Sequence, residues 1–203
     1  MNPQAPGKVR IIAGSWRNSR LDVVDLPGLR PTPERVRETL FNWLQPRLPG
    51  ARCLDLFAGS GALGFEAASR GAGHVLLVER DASLVQRLNA AKTRLRAEQV
   101  DVVQADALHW LQMPQPPFDI VFIDPPFAHN LWPQVLPALL PMLANDARIH
   151  VESPLATPYP VPARWLALRE GHTRDMRHVL YAAGVASPAT LGSGEGQVDP
   201  KNE

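Results

Sequence analysis

The sequence predicts an α/β protein built on a doubly wound, mostly parallel sheet. Three observations predict it. From residue 52 onward, strand-like apolar runs alternate with helix-like segments, the mark of repeated strand–helix–strand units. Two of the runs, "VLLV" and "IVFI", are apolar at consecutive positions, as strands covered on both faces are. A glycine-rich turn, Gly59-x-Gly61-x-x-Gly64, stands between the first such strand and its helix, where open sheets of this class bind their ligands.

In chain order, "KVRIIAGSWRNSRLDVVD" reads as two short strands around a turn near Gly14 and Ser15, its tip projecting outward. "LPGLRPTPE" is a loop leading into a helix. Thr32 suits the N-cap, Pro33 the first helical position, and Glu34 the positive end of the dipole. Val36, Leu40, Phe41 and Leu44 form the apolar stripe of that helix, and Pro46 and Pro49 end it. The strand "RCLDLFA" then leads to the helix "ALGFEAASR", and "HVLLVE" to the long helix "ASLVQRLNAAKTRLRA". "VDVVQ" leads to the short helix "ALHWLQ", and "FDIVFID" to an irregular helix, "LWPQVLPALLPML". "ARIHVE" is a fifth strand; "RWLALREG" and "RHVLYA" are an antiparallel pair at the sheet edge, making seven. Residues 184–203 are small, polar and rich in Gly and Pro, the composition of a disordered tail. The expected organisation is a hairpin extension over 1–30, a main domain over 31–183 and the tail over 184–203.

The 203 residues, 45% of them hydrophobic, suit one domain of ordinary size with a small appendage. The single cysteine, Cys53, excludes an internal disulfide framework and a Cys-rich zinc site; no metal is expected. The start, "MNPQAPGK", has no apolar core of a secretory signal, and no apolar run reaches the ~20 residues a membrane span needs. A cytoplasmic monomer is expected. Net charge is +1, yet residues 1–50 hold eight Lys or Arg against four Asp or Glu. This basic quarter points to a polyanionic partner, although a solvated mixed face has the same composition.

The glycine turn is compatible with NAD or S-adenosylmethionine (SAM). Glu79 ends the second strand of the sheet, where a carboxylate can accept from both ribose hydroxyls. Asp55, inside the first strand, suits a sulfonium and an amino group better than a pyrophosphate. Asp106, after the third strand, suits the amino group of adenine; it also reads as the N-cap of the next helix.

Asp124-Pro125-Pro126-Phe127 follows the fourth strand. Consecutive prolines stiffen the loop and remove its donors while leaving carbonyl acceptors. The Asp124 carboxylate and the Pro125 carbonyl are thus two acceptors for one –NH2 group, and Phe127 offers a face on which a base stacks. The lone pair of an exocyclic amino nitrogen is delocalised into its ring. Holding both protons favours a nitrogen whose lone pair is aimed at a methyl donor, and alignment supplies much of the rate of an in-line displacement. A dehydrogenase has no use for this pair, so SAM is the expected cofactor.

With these motifs in place, the chain resembles one family. "VRIIAGSWRNSRL", "GLRPTPERVRETLFNWL", "CLDLFAGSGALGFEAASRGA", "DVVQADAL" and "FDIVFIDPPF" occur in this order. They resemble the RsmD family of bacterial 16S rRNA guanine-N2 methyltransferases over roughly residues 9–181. The resemblance implies a Rossmann-like SAM methyltransferase sheet with an N-terminal hairpin. It also implies methylation of one guanine of 16S rRNA in the small ribosomal subunit, within ribosome biogenesis. Carried over by position, the cofactor set is Asp55, Phe57, Gly59, Gly61, Glu79, Arg80, Asp106, Ala107 and Thr32, and the catalytic set is Asp124, Pro125, Pro126 and Phe127. Arg10, Arg17, Arg20 and Arg30 are the candidate RNA contacts. Thr32 and Arg30 are expected near the methionine end of SAM or the catalytic loop, unless Thr32 only caps its helix. The last strand departs from the pattern, with Arg174 and His178 where a glycine and an aromatic residue are expected, which leaves the shape of that hairpin open.

The motif itself reads only an amino group. Methylation of adenine N6 in nucleic acid, or of a protein glutamine amide, is therefore the alternative. A non-catalytic RNA-binding relative and an NAD oxidoreductase fit less of the sequence.

Overall fold

The computed structural model describes residues 7–23, 32–126 and 130–184. Arg30, Phe127 and the expected tail from residue 185 lie outside the described residues. The N-terminal strands β1 (Gly7–Arg10) and β2 (Arg20–Val23) pair antiparallel, with Gly7 opposite Val23 and Arg10 opposite Arg20. Helix α1 spans Glu34–Leu44. The alternating part follows as β3 (Arg52–Asp55), α2 (Ala62–Ser69), β4 (His74–Glu79), α3 (Ala82–Leu95), β5 (Val100–Gln104), α4 (Ala107–Trp110) and β6 (Phe118–Ile123). It is completed by α5 (Trp132–Leu139), β7 (Leu143–Pro154), β8 (Trp165–His172) and β9 (Met176–Ala183).

Strands β3 to β9 form a seven-stranded sheet in the order β5-β4-β3-β6-β7-β9-β8. The first five are parallel to their neighbours, and β9 runs antiparallel between β7 and β8. Two apolar layers cover the two faces. One gathers Leu40, Phe41 and Leu44 of α1 with Phe65 and Ala67 of α2 and Leu88 of α3. The other gathers Trp110 of α4 with Trp132, Val135, Leu136 and Leu139 of α5. Side chains of β3 divide between the layers, Cys53 into the first and Leu54 into the second, as alternation along a strand requires. Consecutive apolar residues are therefore needed on the central strands, which is why they carry such runs.

The chain order reverses at β3. Its helix leads to β4 on one side, and β6 pairs on the other. A crevice opens at the carboxyl ends of two strands where their connections diverge, and the glycine turn after β3 and the Asp-Pro-Pro loop after β6 both leave the sheet there.

Two expectations about elements are corrected. The irregular helix was expected to run to Leu143, but α5 ends at Leu139, followed by a 3₁₀ turn over Leu140–Met142. Pro141 has no N–H to continue the α-helical ladder, and β7 begins at once and extends over twelve residues. Thr32 is not the cap of α1: Pro33 occupies the cap position with extended backbone and no side-chain cap bond. The edge hairpin has regular ends, with His172 opposite Arg177. His178 fills the aromatic role there: it is buried and stacks on Trp43 at 5.7 Å between ring centroids. Arg174 lies in the connecting turn, closed by Thr173 N donating to Met176 O at 2.8 Å.

Candidate active site at the carboxyl edge of the sheet

The glycine turn is held by acids on both sides. Gly61 precedes α2 with φ of 76°, in the left-handed region that glycine enters without strain. Gly64 is a packing glycine: a Cβ there would lie 2.1 Å from Leu77 Cδ2. Its N–H donates to Asp55 Oδ2 at 3.0 Å. Asp55 is buried. Burial pushes its carboxyl up to about 7; the Gly64 bond opposes this, and the charge of Glu79 adds to it. Glu79, at the end of β4, is half-buried and braces the same turn. Its Oε2 accepts from Gly59 N at 2.9 Å and its Oε1 from Asp81 N at 2.9 Å. Each carboxylate oxygen retains a second lone pair, so Glu79 can shape the turn and still accept from a ligand's hydroxyls.

Asp106 caps α4 through Oδ1, which accepts from Leu108 N at 3.0 Å and His109 N at 3.1 Å. The cap function holds, and no bond among the described residues engages Oδ2. Ala107 is buried beside it, Phe57 is half-buried and Arg80 is exposed. Thus β3, β4 and β5 end in Asp55, Glu79 and, two residues past β5, Asp106. All three lie along one edge of the sheet, where an adenosine-bearing ligand of SAM's size would meet them in turn.

Asp124 and Pro125 continue from β6 on the other side of β3. Asp124 is half-buried, Pro125 buried and Pro126 exposed. Among the described residues, no donor reaches the Asp124 carboxylate or the Pro125 carbonyl. Burial, and then the charges of Glu152 and Asp55, hold the Asp124 carboxyl well above the usual range.

Sequence reasoning missed Glu152. It lies in β7, and the parallel register that pairs Ile123 with Val151 brings Asp124 alongside it. Glu152 is 6% exposed. Its Oε2 accepts from Thr32 Oγ1 at 3.0 Å, and its backbone carbonyl accepts from Trp132 Nε1 at 3.0 Å. Burial raises its carboxyl, and the Thr32 bond opposes the rise. The Thr32 hydroxyl is therefore engaged by a carboxylate of β7 rather than by the first turn of α1. The carbonyl of Thr32 accepts from Arg37 Nε at 3.3 Å, and Arg37 Nη2 donates to Arg10 O at 3.0 Å. The signal that could have found Glu152 is an acid at the carboxyl end of the strand next to the Asp-Pro-Pro strand.

The N-terminal arginines divide. Arg10 is ion-paired with Glu34, so part of its charge is already answered. Arg17 and Arg20 are exposed. The expectation that the hairpin tip projects outward is corrected. Buried Glu66 of α2 accepts from Ile12 N at 2.7 Å, Ala13 N at 3.1 Å and Arg70 Nε at 2.6 Å. Ser15 N donates to Ser69 O at 2.8 Å and Trp16 N to Ser69 Oγ at 2.9 Å. The turn is docked on α2 because its free N–H groups find acceptors there.

Comparison with known proteins shows the family of the chain. The family described as Conserved hypothetical protein 95 matches residues 9–182. Ribosomal RNA small subunit methyltransferase D of Haemophilus influenzae is 44% identical over 185 residues, covering 88% of this chain and 96% of that protein. Its namesake in Escherichia coli strain K12 is 45% identical over 183 residues, covering 89% and 92%. Among solved structures, the putative methyltransferase yhhF from Escherichia coli superposes with a TM-score of 0.81 at 42% identity, over 88% of this chain and 99% of that one. With the motifs in order and the match running through almost the whole described fold, the chain belongs to the Conserved hypothetical protein 95 family, the RsmD family its motifs resemble.

Proposed function

We propose that this protein transfers a methyl group from SAM to the exocyclic N2 amino group of a guanine in 16S rRNA of the small ribosomal subunit. The observation that carries the reading is the acceptor pair after β6. The Asp124 carboxylate and Pro125 carbonyl have no donors among the described residues, and they stand at the switch point of the sheet beside the glycine turn. The names of the relatives, Ribosomal RNA small subunit methyltransferase D, support rRNA as the substrate.

The residues fit SAM. Glu79 keeps acceptor capacity for ribose hydroxyls, Asp106 keeps Oδ2, and Asp55 is a buried acid matched to a cationic ligand end. When bound, SAM supplies an electrophilic methyl group. Asp124 and the Pro125 carbonyl each take one N–H of the amino group and orient the nitrogen lone pair. The nitrogen that gains a methyl must lose a proton. Asp124, whose proton affinity burial raises, is placed to accept it. Phe127 completes the acceptor motif as the surface on which the extruded base stacks; extrusion costs a few kcal/mol, and stacking returns about 1–3 kcal/mol.

The test is Asp124→Ala. It should leave the SAM dissociation constant within about threefold of wild type and cut turnover at least ~100-fold, equivalent to about 2.7 kcal/mol of barrier. A folded variant with near-normal turnover contradicts the assignment.

A further inference from the structure

Glu152 is not accounted for by that mechanism. A carboxylate 6% exposed is costly to bury unless its oxygens receive donors. Oε2 has the Thr32 hydroxyl at 3.0 Å; Oε1 receives no bond among the described residues. A second carboxylate without a donor, Asp124, stands beside it across the β6–β7 pairing, and Asp55 adds a third negative charge. Mutual repulsion does not stabilise such a group. It suits a site whose missing donors arrive with the ligand.

The two acids sit on neighbouring strands, whose axes are about 4.8 Å apart. Guanine presents two kinds of donor side by side on its Watson–Crick edge, the N2 amino group and N1–H. Adenine also offers an amino group, but its N1 is a lone pair. Resting on the proposed guanine-N2 activity, we propose that Glu152, tethered by Thr32, is a specificity-determining residue that accepts the N1–H of the target guanine while Asp124 holds the amino group. Thr32 fixes one oxygen and leaves the other for the base. Arg37, donating to the Thr32 carbonyl at 3.3 Å, keeps the tether in place. In its ionised form Glu152 meets the N1 lone pair of a purine such as adenine with another acceptor, and the two repel. A site built to hydrogen-bond one group rejects an analogue lacking it far more strongly than apolar fit alone can.

The probe is 2-aminopurine, which keeps the C2 amino group but has a lone pair at N1. The target guanine is first located by labelling. Small subunits are then reconstituted with guanine or 2-aminopurine at that position, and initial rates of methyl incorporation are compared. Wild type should prefer guanine by at least ~100-fold. Glu152→Gln presents an amide that can accept from N1–H or donate to a lone pair, so it should narrow that preference at least tenfold with an unchanged SAM dissociation constant. Wild-type rates within threefold on the two particles overturn the inference and need no variant to do so; a preference unchanged in folded Glu152→Gln also overturns it. Absence of methylation of the guanine particle by wild type sinks the proposed function itself, and this inference with it.

Discussion

At the scale of single residues, buried acids distinguish this site from a plain nucleotide-binding edge. Asp55 is the clearest case. Its carboxyl sits at about 7 in the folded chain against about 3.9 when unfolded, so the folded state binds the proton more tightly. The stability this confers is fully present below about pH 4 and is lost as pH rises through 7. Asp55→Asn keeps an acceptor for Gly64 N–H and removes the buried charge. It should therefore melt at a higher temperature than wild type at pH 8, with the difference shrinking toward pH 5. It should also weaken SAM binding, and it should abolish the part of the pH dependence by which wild-type affinity falls below pH 7. Melting curves and calorimetric titrations at pH 5, 6, 7 and 8 check both; identical pH profiles would show that Asp55 does not meet the cationic end of the cofactor. Much of this was legible in the chain: the strand-end positions of Asp55, Glu79 and Asp106 follow from alternation alone. Thr32 and Glu152 were not. They are 120 residues apart, and no periodicity within either segment reports a bond between them. Local cap statistics favoured Thr32 as a helix cap; a buried carboxylate arriving from β7 took its hydroxyl instead.

At the scale of elements, the central strands of the parallel half were readable because each is short and apolar, and the helices between them because their apolar residues recur at helical spacing. Prolines made the segment after α5 misleading. Pro137 sits inside the helix, whereas Pro141 belongs to the 3₁₀ turn that follows it. The N-terminal hairpin shows a second limit. Its strands were recognisable from sequence, but its docking depends on Glu66 and Ser69, more than fifty residues away. The turn is hydrogen-bonded to α2 while Arg17 and Arg20 stay exposed, so the docked hairpin presents two cations to solvent. Arg10 is paired with Glu34, so its charge is partly answered within the chain. Arg17→Ala combined with Arg20→Ala should weaken binding to small subunits. It should also reduce the slope of log affinity against log salt by about 1 for each phosphate that is no longer neutralised, while leaving SAM affinity intact. Binding across a salt series measures this. Wild-type affinity with wild-type slope would place the RNA elsewhere.

At the scale of the whole molecule, a seven-stranded sheet brings the residues proposed to hold the cofactor, from β3, β4 and β5, to one side of the switch point and the proposed acceptors, from β6 and β7, to the other. Arg37 spans the distance between the hairpin and the acceptor edge, touching the carbonyls of Arg10 and Thr32 and lying 3.8 Å from Glu66. The basic extension and the acceptor edge are thus joined through the contacts of one buried arginine. Among the described residues, no helix is long and apolar enough to cross a membrane. The activity proposed for this edge is methylation of the N2 amino group of guanine in small-subunit rRNA. The measurement that tests it most directly is incubation of undermethylated small subunits with methyl-tritiated SAM and the protein, followed by digestion to nucleosides and chromatography. The account predicts that the label elutes as N2-methylguanosine from 16S rRNA. Label in N6-methyladenosine, label in ribosomal protein, or unlabelled rRNA with active, folded protein would contradict it.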